Sequence, residues 1–321
     1  MHGVRDRPHY HLKPGFVLLE MRSFLVFGLT LSLVSPANAQ DMAMAADVRW
    51  QPERARQGTL IYLIVDPNTN EENLSVTGQI AGQELHFSQD PSGEFRALAP
   101  IPVNARETIP FTFAIILGAD TSHRMVRVPV QPRKFRSSHL SVDPRFTRPP
   151  DSALQVRIRG ESAMSRAVSA RSHSTPRMWE GEWIPPRPSP ITSEFGVRRM
   201  FNGELQSRHM GVDFDGEAGD PIVAPNRGVV ALVGSFYYAG NVVYLDHGKG
   251  LITIYMHMME VDVTEGQLVE RGQQLGKVGA TGRVTGPHVH WTARYGRISV
   301  DGLSLFDLEI PERRAAINQG N

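Results

Sequence analysis

Apolar and polar positions alternate with a period of two along much of this chain, the signature of half-buried strands. In the first third, β-rich runs cover residues 59–65 and 111–117, and Val126, Val128 and Val130 alternate with polar neighbours. The turn signals Asp66-Pro67-Asn68 and Asp90-Pro91-Ser92-Gly93 divide these runs at the intervals of an antiparallel sandwich. An immunoglobulin-like β-sandwich is therefore predicted over residues 40–145.

Residues 146–190 read as a connector rich in proline and arginine, with Pro149-Pro150 and Pro185-Pro186 as breakers. One short helix is predicted there, over residues 161–172, with Arg166 and Arg171 on a solvated face. From residue 191 the pattern becomes glycine-punctuated strands, at 228–233, 241–246, 251–256 and 288–295. A second, antiparallel β domain is predicted over 191–311, followed by a polar tail at 312–321. The fold class is mainly β.

The one long apolar run, residues 24–34, follows Arg22 and ends in Pro36 and the small-residue sequence Ala37-Asn38-Ala39. This reads as a secretory signal peptide over residues 1–39, with Met21 the expected true start. The run is too short to span a bilayer comfortably, so stable membrane insertion after cleavage is not expected. Export to the periplasm or the exterior follows.

Composition narrows the partners. A chain of 321 residues exceeds one typical domain, and 40% hydrophobic and 21% charged residues are ordinary globular values. A net charge of +1, with no long block of one sign, argues against a nucleic-acid partner. The absence of cysteine excludes disulfides, thiolate ligands and a cysteine nucleophile, so any metal must rest on His, Asp or Glu.

Candidate chemistry is concentrated in the second domain. It holds His209, His247, His257, His288 and His290 of the chain's 12 histidines, whereas His86, His123 and His139 are scattered through the first. In His288-x-His290 the two side chains share one strand face, with β-carbons roughly 6 to 7 Å apart. Such a pair can ligate one ion together or set one ring beside it. In His209-x-x-x-Asp213 an extended chain would separate the side chains by about 13 Å, against metal bonds of about 2 Å. The chain must bend there, through unusual backbone angles at Gly211 or through a helical turn. His247, in Asp246-His247-Gly248, is expected to be structural and to sit in a turn. Tyr255 is expected either to line the site or support His257, and Arg283 and Asn202 to touch substrate or shape loops, with plain packing or loop shaping the competing reading for all three; none is assigned a catalytic role.

The order of these motifs resembles the lysostaphin-type zinc metallopeptidases, which cut peptide bonds in bacterial cell walls. The resemblance covers residues 192–291. It rests on Ser193-Glu194-Phe195-Gly196, on His209-Met210-Gly211-Val212-Asp213-Phe214, on Tyr255-Met256-His257, and on Thr281-Gly282-Arg283-Val284-Thr285-Gly286-Pro287-His288-Val289-His290-Trp291.

The resemblance implies one Zn2+ held by His209, Asp213 and His290. It implies that His257 and His288 flank the metal-bound water, as general base and as stabiliser or orienter of the tetrahedral intermediate. It implies a cell-wall-associated zinc metalloendopeptidase acting on peptidoglycan peptides. The first domain, which shows no chemical constellation, is expected to act as a spacer, a docking module or a regulator that covers the cleft. A noncatalytic module of the same fold that regulates another hydrolase is the alternative, and the retention of all five positions argues against it. The segment from Gly266 to Gly276 also looks like the hairpin of biotinyl- or lipoyl-carrier domains, which need a lysine on an exposed tip. Only Lys249 and Lys277 are available in this domain.

Overall fold

A computed structural model describes residues 45–69, 71–139, 151–201 and 204–308. The signal-like segment, Asn202 and the polar tail lie outside the described residues. Among the described residues no helix is long and apolar enough to cross a membrane.

Eight strands build the N-terminal part: β1 (Asp47–Gln51), β2 (Leu60–Asp66), β3 (Leu74–Ile80), β4 (Gln83–Leu85), β5 (Ser88–Gln89), β6 (Phe95–Pro100), β7 (Thr108–Leu117) and β8 (Asp120–Pro129). They form two four-stranded antiparallel sheets, in the orders β1-β2-β6-β5 and β4-β3-β7-β8. The outer strand β8 alternates exposed and covered residues, as half-burial requires. Strands β2 and β6 do not alternate. Leu60, Ile61, Tyr62, Leu63, Ile64 and Val65 are all buried. The opposite sheet covers one face of this sheet and the C-terminal domain reaches the other: Ser304 Oγ accepts from the Leu60 amide at 3.0 Å, and the Asp301 amide donates to Gly58 O at 2.6 Å. One continuous hydrophobic cluster accordingly runs from Leu60 to Trp291.

After a short strand β9 (Ser137–His139) comes α1 (Ser152–Ser172), the single α-helix described. It starts nine residues before the helix expected from sequence, because the Asp151 side chain caps it by accepting from the Leu154 amide at 2.8 Å. In the first half Leu154, Val156 and Ile158 alternate with polar residues at the strand period and Gly160 follows, so helical apolar periodicity does not announce it. Only Val168, Ser169 and Ser172 are buried. The C-terminal end is tied down by the Asp246 carboxylate, which accepts from Ser172 Oγ at 2.5 Å and from Thr175 Oγ1 at 2.6 Å.

The C-terminal domain contains β10 (Ile191–Ser193), β11 (Arg198–Phe201), β12 (Glu204–Arg208), β13 (Val212–Asp215), β14 (Pro221–Val223), β15 (Gly228–Phe236), β16 (Gly240–Gly248), β17 (Leu251–Met258), β18 (Glu260–Val261), β19 (Leu268–Val269), β20 (Gln274–Lys277), β21 (His288–Tyr295) and β22 (Ile298–Val300). Its main sheet is antiparallel, in the order β10-β13-β21-β17-β16-β15-β19, with β22 beside β21. Strand β21, which carries the His288-x-His290 motif, therefore lies between β13 and β17. Two three-stranded sheets flank it, β14-β20-β18 and β12-β11-β9, the last joining β9 in parallel to β11.

The carrier-like segment folds differently from a carrier tip. Lys277 lies within β20 and pairs with Glu260 at 2.6 Å. Lys249 does sit in a hairpin turn, between β16 and β17, but its amide donates to Thr175 O and the connector packs onto that turn.

Candidate metal centre

Register alone brings the first two groups together. Asp213 on β13 is the direct partner of His290 on β21, and Met256 on β17 is the partner of His290 on its other side. At a cross-strand separation of about 4.5 to 5.5 Å, facing side chains of such pairs touch. His290 Nδ1 lies 2.8 Å from Asp213 Oδ1. His209 reaches the same point from the segment before β13, with Nε2 2.9 Å from Asp213 Oδ1 and 3.0 Å from His290 Nδ1.

The bend between His209 and Asp213 is neither a helical turn nor a left-handed glycine, since Gly211 is absent from the positive-φ positions. What Gly211 supplies is space. A β-carbon there would lie 2.6 Å from His290 Nε2 and 2.6 Å from Trp291 O, closer than real side chains approach. The expectation about its backbone angles is thus corrected to one about close approach.

His257 follows the last residue of β17 paired with β21, and its φ of 65° places a non-glycine residue in the left-handed region. That conformation costs on the order of 1 to 3 kcal/mol and persists where surrounding structure fixes it. Here the His257 amide donates to Ala239 O at 2.8 Å, and Nδ1–H donates to Thr281 O at 2.8 Å. The ring is thereby turned to stand 5.1 Å from His288 and 5.8 Å from His290, centroid to centroid. His288 Nδ1–H donates to Gly286 O at 2.9 Å, which leaves Nε2 facing the cluster at 3.7 Å from Asp213 Oδ1.

The outward nitrogens of the other two rings are also occupied. His209 Nδ1–H donates to Glu194 O at 2.8 Å, with Ser193 Oγ 3.1 Å away, and His290 Nε2–H donates to Thr292 Oγ1 at 3.1 Å. These bonds leave the lone pairs of His209 Nε2 and His290 Nδ1 pointing at the Asp213 carboxylate. Two imidazole acceptors and a carboxylate facing one another repel unless a cation or protons lie between them, and the three donor atoms lie close enough to hold one ion. A tetrahedral ion with bonds of about 2.1 Å spaces its donors by about 3.4 Å. Outward movements of about half an ångström would admit one, so the donor set fits zinc.

Burial sets the electrostatics. It pushes the Asp213 carboxyl up, but His209 and His290, once a proton lies between ring and carboxylate, outweigh it and hold that carboxyl well below the usual carboxylate range. Burial lowers His290, Asp213 opposing it. Burial, reinforced by the charge of His290, lowers His257 to about 3, so this imidazole is neutral near pH 7. Sequence reasoning missed Arg199 on β11. Burial pulls its guanidinium below the usual arginine range, with the Asp213 charge opposing this and Arg283 adding to it. No motif marks it, and β11 belongs to a sheet separate from the one that carries Asp213 and His290.

The remaining residues lie elsewhere. His247 lies within β16, one residue before its end, rather than occupying a turn, is fully buried, and bonds Arg227 O at 2.8 Å and Thr253 Oγ1 at 2.9 Å. Tyr255 is a core residue, with its hydroxyl 2.8 Å from Thr253 Oγ1. Arg283 stacks over Tyr238 at 4.5 Å.

Fold and geometry together define an antiparallel β domain with a buried His-Asp-His cluster able to hold one metal ion, flanked by two further imidazoles. Residues 207–302 match the profile of peptidase family M23, and this domain belongs to that lysostaphin-type family. The chain is 41% identical over 102 residues to the peptidoglycan DD-endopeptidase ShyA of Vibrio cholerae, covering 32% of this chain and 24% of the relative. It is 36% identical over 115 residues to the DD-carboxypeptidase/endopeptidase Mpg of Neisseria meningitidis, covering 36% of this chain and 26% of the relative. The chain thus spans about a quarter of the length of these curated relatives. A crystal structure of a putative peptidase M23 from Pseudomonas aeruginosa superposes with a TM-score of 0.60 at 27% identity, over 77% of this chain and 93% of that one. That coverage extends beyond the C-terminal domain into the sandwich.

Proposed function

We propose that this protein is an exported zinc metalloendopeptidase that hydrolyses peptide bonds in peptidoglycan stem peptides or cross-links. The observation that carries the reading is the convergence of His209 Nε2, Asp213 Oδ1 and His290 Nδ1, with every outward ring nitrogen already bonded and two more imidazoles beside them. The substrate class is supported by the names of the relatives, which are peptidoglycan DD-endopeptidases.

His209, Asp213 and His290 hold the zinc. When bound, the ion acts as a Lewis acid toward the scissile carbonyl and lowers the pKa of a bound water to about 7. His257 works as the general base: it is neutral, its Nδ1–H is fixed on Thr281 O, and its Nε2 is left to accept a proton. His288, fixed through Gly286 O, turns its Nε2 to the same space and stabilises the negative charge that develops on the attacked carbonyl oxygen.

The N-terminal domain is read as an immunoglobulin-like sandwich, supported by strand orders that match the A-B-E-D and C′-C-F-G sheets of that fold. Its role is regulatory. Strand β9, which follows the sandwich, pairs with β11, whose Arg199 feels the Asp213 charge, and this link between the sandwich and the site supports that reading. Export rests on the apolar run ending in Ala37-Asn38-Ala39, and gives a protein associated with the wall in the periplasm or outside the cell.

Purified peptidoglycan incubated with the zinc-loaded protein should release peptides identifiable by mass spectrometry, and a chelator should stop the release. Zinc-loaded, folded protein that yields no chelator-sensitive product would refute the reading.

A further inference from the structure

Glu84 and His86 repeat, on another strand, the spacing of His288 and His290. Residues two apart on an extended chain share a face, and both project from β4 and its continuation toward the C-terminal end of α1. There His173, the C-cap of the helix, meets them: His86 Nε2 lies 2.9 Å from His173 Nδ1, and ligand atoms of all three residues lie within 4.8 Å of one another. We propose that Glu84, His86 and His173 form a second divalent-metal site, with the donor chemistry of zinc, that clamps the sandwich to the helix and the peptidase domain.

The cluster is held from several directions. Tyr295 on β21 donates its hydroxyl proton to Glu84 O at 3.0 Å, and the Arg297 amide donates to the Gln83 side chain at 2.9 Å, so the peptidase domain fixes the strand that carries Glu84. The ring of His173 stands edge-on to Tyr295, 5.7 Å between centroids. It fits against Gly250 and Gly296, where added β-carbons would each come within 2.8 Å of it. The ligand set therefore rests on packed structure at a seam between domains.

The chemistry is that of a borderline metal ion: two imidazoles and one carboxylate make three donors, with a fourth position left to water. His173 lies at a helix C-terminus, where the dipole favours positive charge. Among neighbouring charges Glu84 and Asp246 favour a cation near His173, and Lys249 opposes one near His86. Without a metal, the two facing nitrogens must share a single proton in one hydrogen bond, and Glu84 is left exposed to water. No role in the peptidase chemistry accounts for this arrangement.

Zinc content by mass spectrometry after dialysis, on the full folded chain, tests the site. The wild type should hold about two equivalents, His290→Ala about one, and His173→Gln/His290→Ala none. Zinc should raise the Tm of His290→Ala and leave that of the double variant unchanged. Glu84→Gln/His290→Ala, altered only at an exposed carboxylate, should bind zinc at least about ten-fold more weakly with an unchanged circular dichroism spectrum. The site is refuted if His290→Ala binds no zinc, or if neither Glu84→Gln nor His173→Gln lowers its affinity. If the wild type holds only an equivalent that disappears with His173→Gln and survives His290→Ala, the second site stands and the zinc reading of the first fails.

Discussion

Asp213 and His290 are paired residues of adjacent antiparallel strands, and Asp213 Oδ1 lies 2.8 Å from His290 Nδ1. Sheet register therefore brings two of the three candidate metal ligands together before any loop contributes. A change that shifts β13 against β21 by one residue would turn Asp213 to the opposite face.

Gly211 guards that register. Gly211→Ala places a methyl group where His290 Nε2 and Trp291 O now lie 2.6 Å away. The expected outcome is a loss of about 1 to 3 kcal/mol in urea unfolding, as for other overpacked sites, and weaker zinc retention in a chelator competition. A variant that keeps both values would show that the strand has room to yield.

The strand period made much of this centre legible. Alternation put His288 and His290 on one face, and the 13 Å problem in His209-x-x-x-Asp213 called for a bend, through Gly211 or through a helical turn. The nature of the bend was not legible, because steric proximity to a strand 80 residues away leaves no local mark. His257 reaches the cluster through a positive φ, which its neighbours in sequence do not forecast. Glu84, His86 and His173 were missed as a group for a related reason: 87 residues separate the two histidines, and each looks solitary in its own segment. Full burial of β2 and β6 likewise depends on a partner domain encoded more than 200 residues later.

Asp246 should be structural in the strict sense. Its buried carboxylate accepts from Ser172 Oγ, Thr175 Oγ1 and the Gly248 amide, tying the end of α1 to the main sheet. Asp246→Ala leaves three donors without their partner and should cost about 2 to 4 kcal/mol in denaturant unfolding. A loss below about 0.5 kcal/mol would mean that water replaces the carboxylate freely.

His247 should make the fold acid-sensitive. Burial, with opposing help from Arg227 O and Asp246, lowers it to about 4, against about 6.5 in an unfolded chain. The unfolded state then binds the proton more readily, so stability is fully present above pH 6.5 and declines as pH falls toward 4. The contribution is on the order of 3 kcal/mol. Unfolding free energies measured at pH 7 and pH 4.5 should fall less in His247→Gln than in the wild type, and equal falls would assign the acid sensitivity to other groups.

The division of labour among the five site residues is tested most directly by measuring zinc content and cleavage of a cross-linked muropeptide on the same preparations. The wild type should show both, and His290→Ala should lose the equivalent of zinc at this centre together with turnover. His257→Ala should keep that equivalent and lose turnover by about 10²- to 10⁴-fold, the usual contribution of a general base. A His257→Ala protein that loses the zinc, or one that keeps wild-type turnover, would contradict the assignment.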